Sequence, residues 1–403
     1  MVGILIAPRM LRSLPVLALC LALLGMEGCS LSRPPGSTQV LRAQAVDGSE
    51  LTPVPVSLNV PATSAALNDA ARYLAGMPSL TGQDAFQSFR NDAAWKEHAS
   101  RMNELWQGFD SRHGGPVSLW ARTHIPDLQG ARAVFYPFIG PDFIFSYLFY
   151  PNAETYLLCG LEPCEPLPEW NSLSPGDAAS GLEGLATSLN TVLHFSYFIT
   201  KDMRHDLQST RFRGVLPVFM VFLARSGHVV DSVDAVRLDA NGAPLIYAAG
   251  QTSVSGFFIR AHGPHGPKRI FYFSHDLSNG GFSSSTPLGR FAAALGRPAG
   301  MLKSASYLMH ESEFSNIRHH LLTQTCGIVQ DPSGIPYQSY LQSGWRVSLY
   351  GNYQGTIDTF TQFPQPDLTA AYQNPSNHAE PLSYSIGYLL NPSTTSLMVG
   401  RPK

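Results

Sequence analysis

Acids, bases and hydroxyls placed where an apolar run stops are the residues best positioned to do chemistry, and this chain has a set of them. Gly140, Asp142, Glu162, Asp202, His275, Asp276, Lys303, His310, Asp331 and Tyr337 all lie at or beside the ends of apolar stretches. A charge carried into such a place must be paired or hydrogen-bonded, or it costs several kcal/mol. The set therefore marks either an internal ion-pair network or the wall of a cleft. As a cleft it offers two kinds of chemistry. Two of the carboxylates, or a His–Asp pair, could act as acid and base in a hydrolase. Tyrosines crowd the same regions, among them Tyr136, Tyr147 and Tyr150, then Tyr337, Tyr340, Tyr350 and Tyr353. Beside carboxylates they suit a glycan, another polar ring or a protein partner, because each offers a flat face and a hydroxyl. Core packing uses the same residues with no ligand at all.

More specific patterns are weaker. The stretch 132–142, RAVFYPFIGPD, runs from an apolar segment into a Gly-bearing turn, and Glu162 follows Gly140 by 22 residues. That outline matches a nucleotide-binding βαβ unit, where an acid about 20 residues on binds ribose. Only one glycine is present, however, and Pro141 removes an amide that would face phosphate. The 13 histidines include His262 and His265 in one loop and the adjacent pair His319 and His320, but none at helical i, i+4 spacing. Neighbouring residues on a helix point to different sides, so no metal is expected. Nucleophile signatures such as G-x-S-x-G and S-x-x-K are missing, although Ser304 and Ser306 lie near Lys303 and His310. No cofactor is implied.

The elements that must position these residues alternate between helical and strand patterns. In NDAAWKEHASRMNELWQGFD (91–110), Trp95, His98, Met102, Leu105, Trp106 and Phe109 share one helical face, and both tryptophans read as core. His113-Gly-Gly-Pro116 reads as that helix's end. Residues 132–138 and 154–161 predict buried strands, with 143–149 between them as a short helix or an extended segment. A long helix is expected over 178–207, and a buried one over 215–226 opening near Pro217. Strands are expected over 228–238, 256–259 and 269–274, with AHGPHGP (261–267) as the loop between the last two. Helices follow over 288–296 and 300–320, then a strand ending near Gln330, a turn at 331–334 and a final strand in WRVSLYGNYQG (345–355). The expectation is an α/β or α+β fold, a mixed β-sheet with flanking helices in one large domain over 65–403. Asp142, Glu162, Asp276 and Asp331 would then sit beyond strand ends, where α/β sheets bind ligands.

Composition and the chain's start speak to location. From Met10, a basic flank leads into SLPVLALCLALLG, which is too short for the roughly 20 apolar residues that cross a bilayer and reads as a secretory leader over 1–28. Met1 or Met10 could be the start, and the alternative to cleavage is an uncut membrane anchor. Met26-Glu-Gly-Cys29 resembles a bacterial lipobox, which would make Cys29 a lipidation site. Ser30 after it suits outer-membrane retention, and plain secretion to the periplasm or beyond is the alternative. Residues 29–64 are rich in Pro, Ser and Thr and read as a tether. The formal net charge is −2, or −3 once Arg9, Arg12 and Glu27 are removed, and no Lys/Arg-rich run occurs. Nucleic acid is therefore not an expected partner. Cys159, Cys164 and Cys326 remain, and the first two could close a small disulfide or stay free.

Taken together, YPFIGPD, FYPNAETYLLCGLEP, FITKDMRHDL, VFLARSG, KSASYLMH, IVQDPSGIPY and WRVSLYGNY resemble a family of exported bacterial proteins, over most of residues 131–353. Pro332 stands where that family's pattern has a second acid. The resemblance implies one globular unit in the cell envelope and attaches no activity to it. The sequence thus leads to an exported, lipid-anchored envelope protein that binds an envelope polymer, small ligand or protein partner through a polar-aromatic cleft. The alternatives are an envelope hydrolase and an architectural lipoprotein without a ligand site.

Overall fold

The computed structural model of the chain describes residues 64–80, 85–197, 210–247 and 254–403. The leader, the tether up to its last residue, Cys29 and Asp202 lie outside them.

The expected mixed sheet is present, with ten strands among the described residues and helices flanking it. In chain order the strands are β1 (Ala133–Tyr136), β2 (Thr155–Gly160), β3 (Val229–Leu238), β4 (Pro244–Ile246) and β5 (Gly256–Gly263). They continue with β6 (Gly266–Ser274), β7 (Ala299–Leu302), β8 (Gly327–Gln330), β9 (Arg346–Gly351) and β10 (Ser396–Arg401). Their spatial order is β4-β3-β5-β6-β2-β1-β7-β8-β10-β9. The five central strands β6, β2, β1, β7 and β8 run parallel, and the outer strands pair antiparallel.

Strands buried on both faces read as continuous apolar runs, and β1, β2, β7 and β8 are buried at every position. Alternate side chains enter different layers. Tyr136, Tyr156, Leu158, Ile270 and Tyr272 pack on one face, while Phe135, Leu157, Phe271 and Phe273 pack on the other. The main helices are α1 (Ser64–Leu74), α2 (Ala93–Phe109), α3 (Gly115–His124), α4 (Phe143–Phe149), α5 (Pro175–Phe195), α6 (Leu216–Arg225), α7 (Pro287–Ala294) and α8 (Ser315–Gln324). Nine consecutive residues of α6, Leu216 to Ala224, are buried, so it is a core helix apolar all round.

Several expectations need correction. No helix covers 300–320: Ala299–Leu302 is a central strand, short turns follow, and the helix begins only at Ser315. Ser304, Ser306 and Tyr307 have φ of 54°, 55° and 61°, which no right-handed helix admits. The segment HGGP does not end its helix. A π-turn over Asp110–Gly114 absorbs the irregularity, and α3 continues with Pro116 in its first turn. The long helix starts at Pro175, behind a Ser174/Asp177 capping box, and ends at Phe195 with Ser196 left-handed at φ 64°. The 261–267 loop shrinks to Pro264 and His265, because β5 and β6 pair as far as Gly263 opposite Gly266. The segment SLMVGR forms β10, inserted between β8 and β9, so 345–355 does not hold the last strand.

Candidate functional site

The loops leaving the carboxyl ends of the parallel strands carry most of the residues singled out above. Gly140 and Asp142 follow β1, Glu162 follows β2, and His275 and Asp276 follow β6. Lys303 follows β7, and Asp331 follows β8. From β1 the chain steps outward to β2 and β6 on one side and to β7 and β8 on the other. The gap between β1 and β7 is thus a topological switch point, the crevice in which open α/β sheets bind ligands.

Here that crevice holds side chains of the protein itself. Lys303 Nζ lies 2.8 Å from Asp142 Oδ2, with both side chains fully buried. Asp142 caps α4 by accepting the Phe145 amide at 3.3 Å, and it also accepts the Tyr136 hydroxyl at 3.1 Å. The ammonium donates to the Ser196 carbonyl at the end of α5 and lies 3.9 Å from the centre of the Phe145 ring. Burial pushes the Asp142 carboxyl up and the Lys303 ammonium down, and each charge partly offsets the other's shift. Every polar atom of the pair has a partner.

Asp331 is saturated in a second way. Its Oδ2 accepts the Ser304 amide at 2.8 Å, and Oδ1 accepts the Ser333 amide at 2.9 Å and the Ser333 hydroxyl at 2.5 Å. Ser333 Oγ accepts the Ala305 amide at 2.9 Å. Left-handed residues at 304 and 306 flanking one that is not make a concave nest of amides suited to an anion. Asp331 takes the Ser304 amide of that turn, and Ser333 Oγ takes the next one. Tyr388 closes the turn, donating to the Ser304 carbonyl at 3.0 Å and sharing a 2.6 Å hydrogen bond with Ser306. The strain of these backbone conformations, of order 1–3 kcal/mol each, is held by partners already in place.

The remaining residues separate from this centre or are bound in their own ways. Glu162 is buried, accepts the Tyr272 hydroxyl at 3.0 Å, and lies against Gly140. Gly140 has φ +62°, and a Cβ there would come within 2.8 Å of the Glu162 carboxylate, so glycine is required by conformation and by space. The ribose-type spacing of Gly140 and Glu162 is a packing contact. His275 is half-buried and binds the Gly281 carbonyl at 3.1 Å. Asp276 is exposed and holds an Asx turn through Ser278. Tyr337 packs with Leu349 and Leu368, its amide bonded to Gln365. His310 lies among Tyr307 and Phe363 with Nε2 unpartnered among the described residues, and burial pushes its imidazole down to about 4. No group of three or more His, Cys, Asp and Glu is arranged for a metal among the described residues. Cys159 and Cys164 are both buried free thiols.

An open concavity lies elsewhere, in the helical layer. A groove of about 240 Å³ runs between α1, the first turn of α2 and the first turn of α5. Phe89 and Trp95 supply aromatic surface over the buried Tyr73, Asp92 and Ser88 polar groups, and Ala178 and Ala179 an apolar wall. Its rings are locked. The Trp95 indole donates to the Tyr73 carbonyl at 3.0 Å and lies nearly parallel to the Tyr73 ring, 6.2 Å away. Arg90, buried behind them, donates to the Met77 and Asp69 carbonyls and lies 4.9 Å from the indole. The helical face of 91–110 predicted Trp95 as core, and half of it is. Nothing in the spacing signals that the other half lines a groove, because the opposite wall comes from α5. The chain matches no family model, no curated protein and no solved structure.

Proposed function

We propose that this chain is an exported, membrane-tethered ligand-binding protein whose recognition site is the groove between α1, α2 and α5. The observation that carries the reading is a preformed aromatic groove with a carboxylate at its side, a few polar groups set in apolar walls being the usual make-up of a small-ligand site. At the strand ends, by contrast, the buried carboxylates and the lysine are bonded within the protein, which argues against their use as a free acid and base. Export rests on the basic-flanked leader, and the lipid anchor on Cys29 in its lipobox-like setting. Native mass spectrometry of the chain purified from a periplasm, as the parent and as Ala179→Trp, tests the site. An adduct carried by the parent and lost when the indole fills the groove is expected. A clean mass for both, with no ligand shifting either on titration, would overturn it.

One observation favours a hydrolase instead: Ser304 Oγ is buried without a partner among the described residues, on a strained turn leaving a parallel strand, the setting of a nucleophilic serine. The following amide, which would stabilise an oxyanion in that arrangement, is spent on Ser333. Labelling of the native protein at Ser304 by a fluorophosphonate would reverse this judgement.

A further inference from the structure

The groove's electrostatics narrow its ligand, and this inference rests on the groove being the binding site. Of its lining residues only Asp92 is charged, and none is basic. Two helices begin there, and a helix N-terminus ordinarily favours an anion. Both ends are already satisfied, the first by the Asp92 carboxylate and the second by a Ser174/Asp177 capping box. Asp92 accepts the Ala94 amide at 2.8 Å, and Asp177 accepts the Ser174 amide at 3.2 Å while Ser174 Oγ takes the Asp177 amide. An anionic ligand would meet acids where it needs donors.

A cationic ligand fares no better. An aromatic cage needs free ring faces, and here Tyr73 is covered by Phe86, stacked at 5.0 Å, and by Trp95. The Arg90 guanidinium already lies 4.9 Å from the indole and 5.7 Å from the Tyr73 ring, so a second cation would meet its repulsion. Size narrows the choice again. At about 240 Å³ the space falls below the range of roughly 300–1,000 Å³ typical for drug-sized ligands, which leaves room for a single ring. The half-buried Trp95 and Phe89 offer apolar surface for a ring face, Ala178 and Ala179 a flat facing wall, and Asp92 and Ser88 acceptors and a hydroxyl for a polar ring edge.

We infer that the groove takes one ring of a neutral saccharide, its face against Trp95 and Phe89 and its hydroxyls toward Asp92 and Ser88. Neutral glycans are thereby selected over acidic ones and over amine-bearing ligands. The test titrates the full mature chain, parent and Ala179→Trp, with chitotriose N-acetylated on every ring, maltotriose, trigalacturonate and choline, followed by saturation-transfer NMR and calorimetry. Ala179 is half-exposed on α5, so the substitution fills the groove without opening the core, and circular dichroism checks that the fold is kept. Binding of a neutral trisaccharide, weakened at least tenfold in Ala179→Trp, with trigalacturonate and choline inert, is the expected result. Tighter binding of trigalacturonate or choline overturns the ligand class, as does neutral-sugar binding that Ala179→Trp leaves unchanged. An adduct that Ala179→Trp removes but no neutral sugar displaces would refute the saccharide and leave the groove as a site. No ligand or adduct sensitive to Ala179→Trp refutes both.

Discussion

Removing one partner of the Asp142–Lys303 pair tests whether the switch-point crevice is structural. Both side chains are fully buried and 2.8 Å apart, so either single replacement strands a charge. Breaking a buried pair this way costs about 3–5 kcal/mol, whereas replacing both partners by uncharged groups of similar shape can be nearly neutral. Asp142→Asn leaves a carbonyl oxygen able to cap Phe145 but leaves the ammonium with only the Ser196 carbonyl and the Phe145 ring. Lys303→Met leaves the carboxylate with the Tyr136 hydroxyl and the Phe145 amide. Each single variant is expected to lose about 3–5 kcal/mol in urea unfolding at pH 7, and the double variant less than either, giving a coupling of about 2 kcal/mol or more.

The two single variants should also part company with pH. In Lys303→Met the unpaired Asp142 has a raised folded pKa, so below it the folded state binds a proton the unfolded state does not, and the penalty shrinks as pH falls toward 3.8. In Asp142→Asn the ammonium has a lowered folded pKa, and its penalty shrinks as pH rises toward 10.5. Single variants within 1 kcal/mol of the parent, adding without coupling, would refute a buried pair. So would identical pH profiles. Loss of a bound ligand from well-folded Asp142→Asn would move the recognition site back to the strand ends.

Acid should destabilise the parent before its exposed carboxylates titrate. His98, His113, His228, His310 and His320 are pushed by burial to about 4, so between pH 6.5 and 4 the unfolded chain binds the extra protons. Each then removes about 1.4 kcal/mol of stability per pH unit. Asp234, raised by burial to about 6, and Asp142 and Asp331, also raised by burial, work in the opposite sense above 3.8 and offset part of this loss. Melting temperatures from pH 7.5 to 4.5 should therefore fall from about 6.5 downward, and a flat profile would contradict the burial of these rings. Gly140→Ala should cost about 2–3 kcal/mol, since it adds both strain at φ +62° and a clash with Glu162, and a melting temperature equal to the parent's would contradict the contact. Cys159 and Cys164 are buried, and burial pushes both thiols up, Cys164 to about 12. Neither should react with a thiol reagent in the native state, and both should react after denaturation without reductant.

The fold class was legible because its signals are local. Four-to-six-residue apolar runs broken by turn residues alternate with helical spacing, and the buried charges at their ends were bound to be either a network or a cleft. Where sequence reasoning failed, a distant partner decided the outcome. Ala299–Leu302 is apolar but short, and only pairing with β1 on one side and β8 on the other makes it a strand. The segment SLMVGR is an equally short run that becomes a strand by entering between β8 and β9. At Asp110–Gly114 the Gly-Gly-Pro signal for a helix end was real. Gly114 and Gly115 nevertheless stay in the right-handed region, and Pro116 sits where a first-turn proline is tolerated.

The choice between network and cleft turns on one residue. With an apolar or small side chain at 303, Asp142 at the start of α4 would keep the Tyr136 hydroxyl and the Phe145 amide but would have no cation beside it, a buried carboxylate of the kind an α/β active site uses. Lys303 reaches into that space and bonds Asp142, the end of α5 and the Phe145 ring at once, tying β1, β7 and two helices together. The left-handed turn that follows it is held closed by Asp331 from the next strand. The charged residues that looked most like a site are thus the ones that join the strand ends. With the switch-point crevice spent on such a joint, the binding function proposed above falls to another surface, and the aromatic groove in the helical layer is the one it is assigned to.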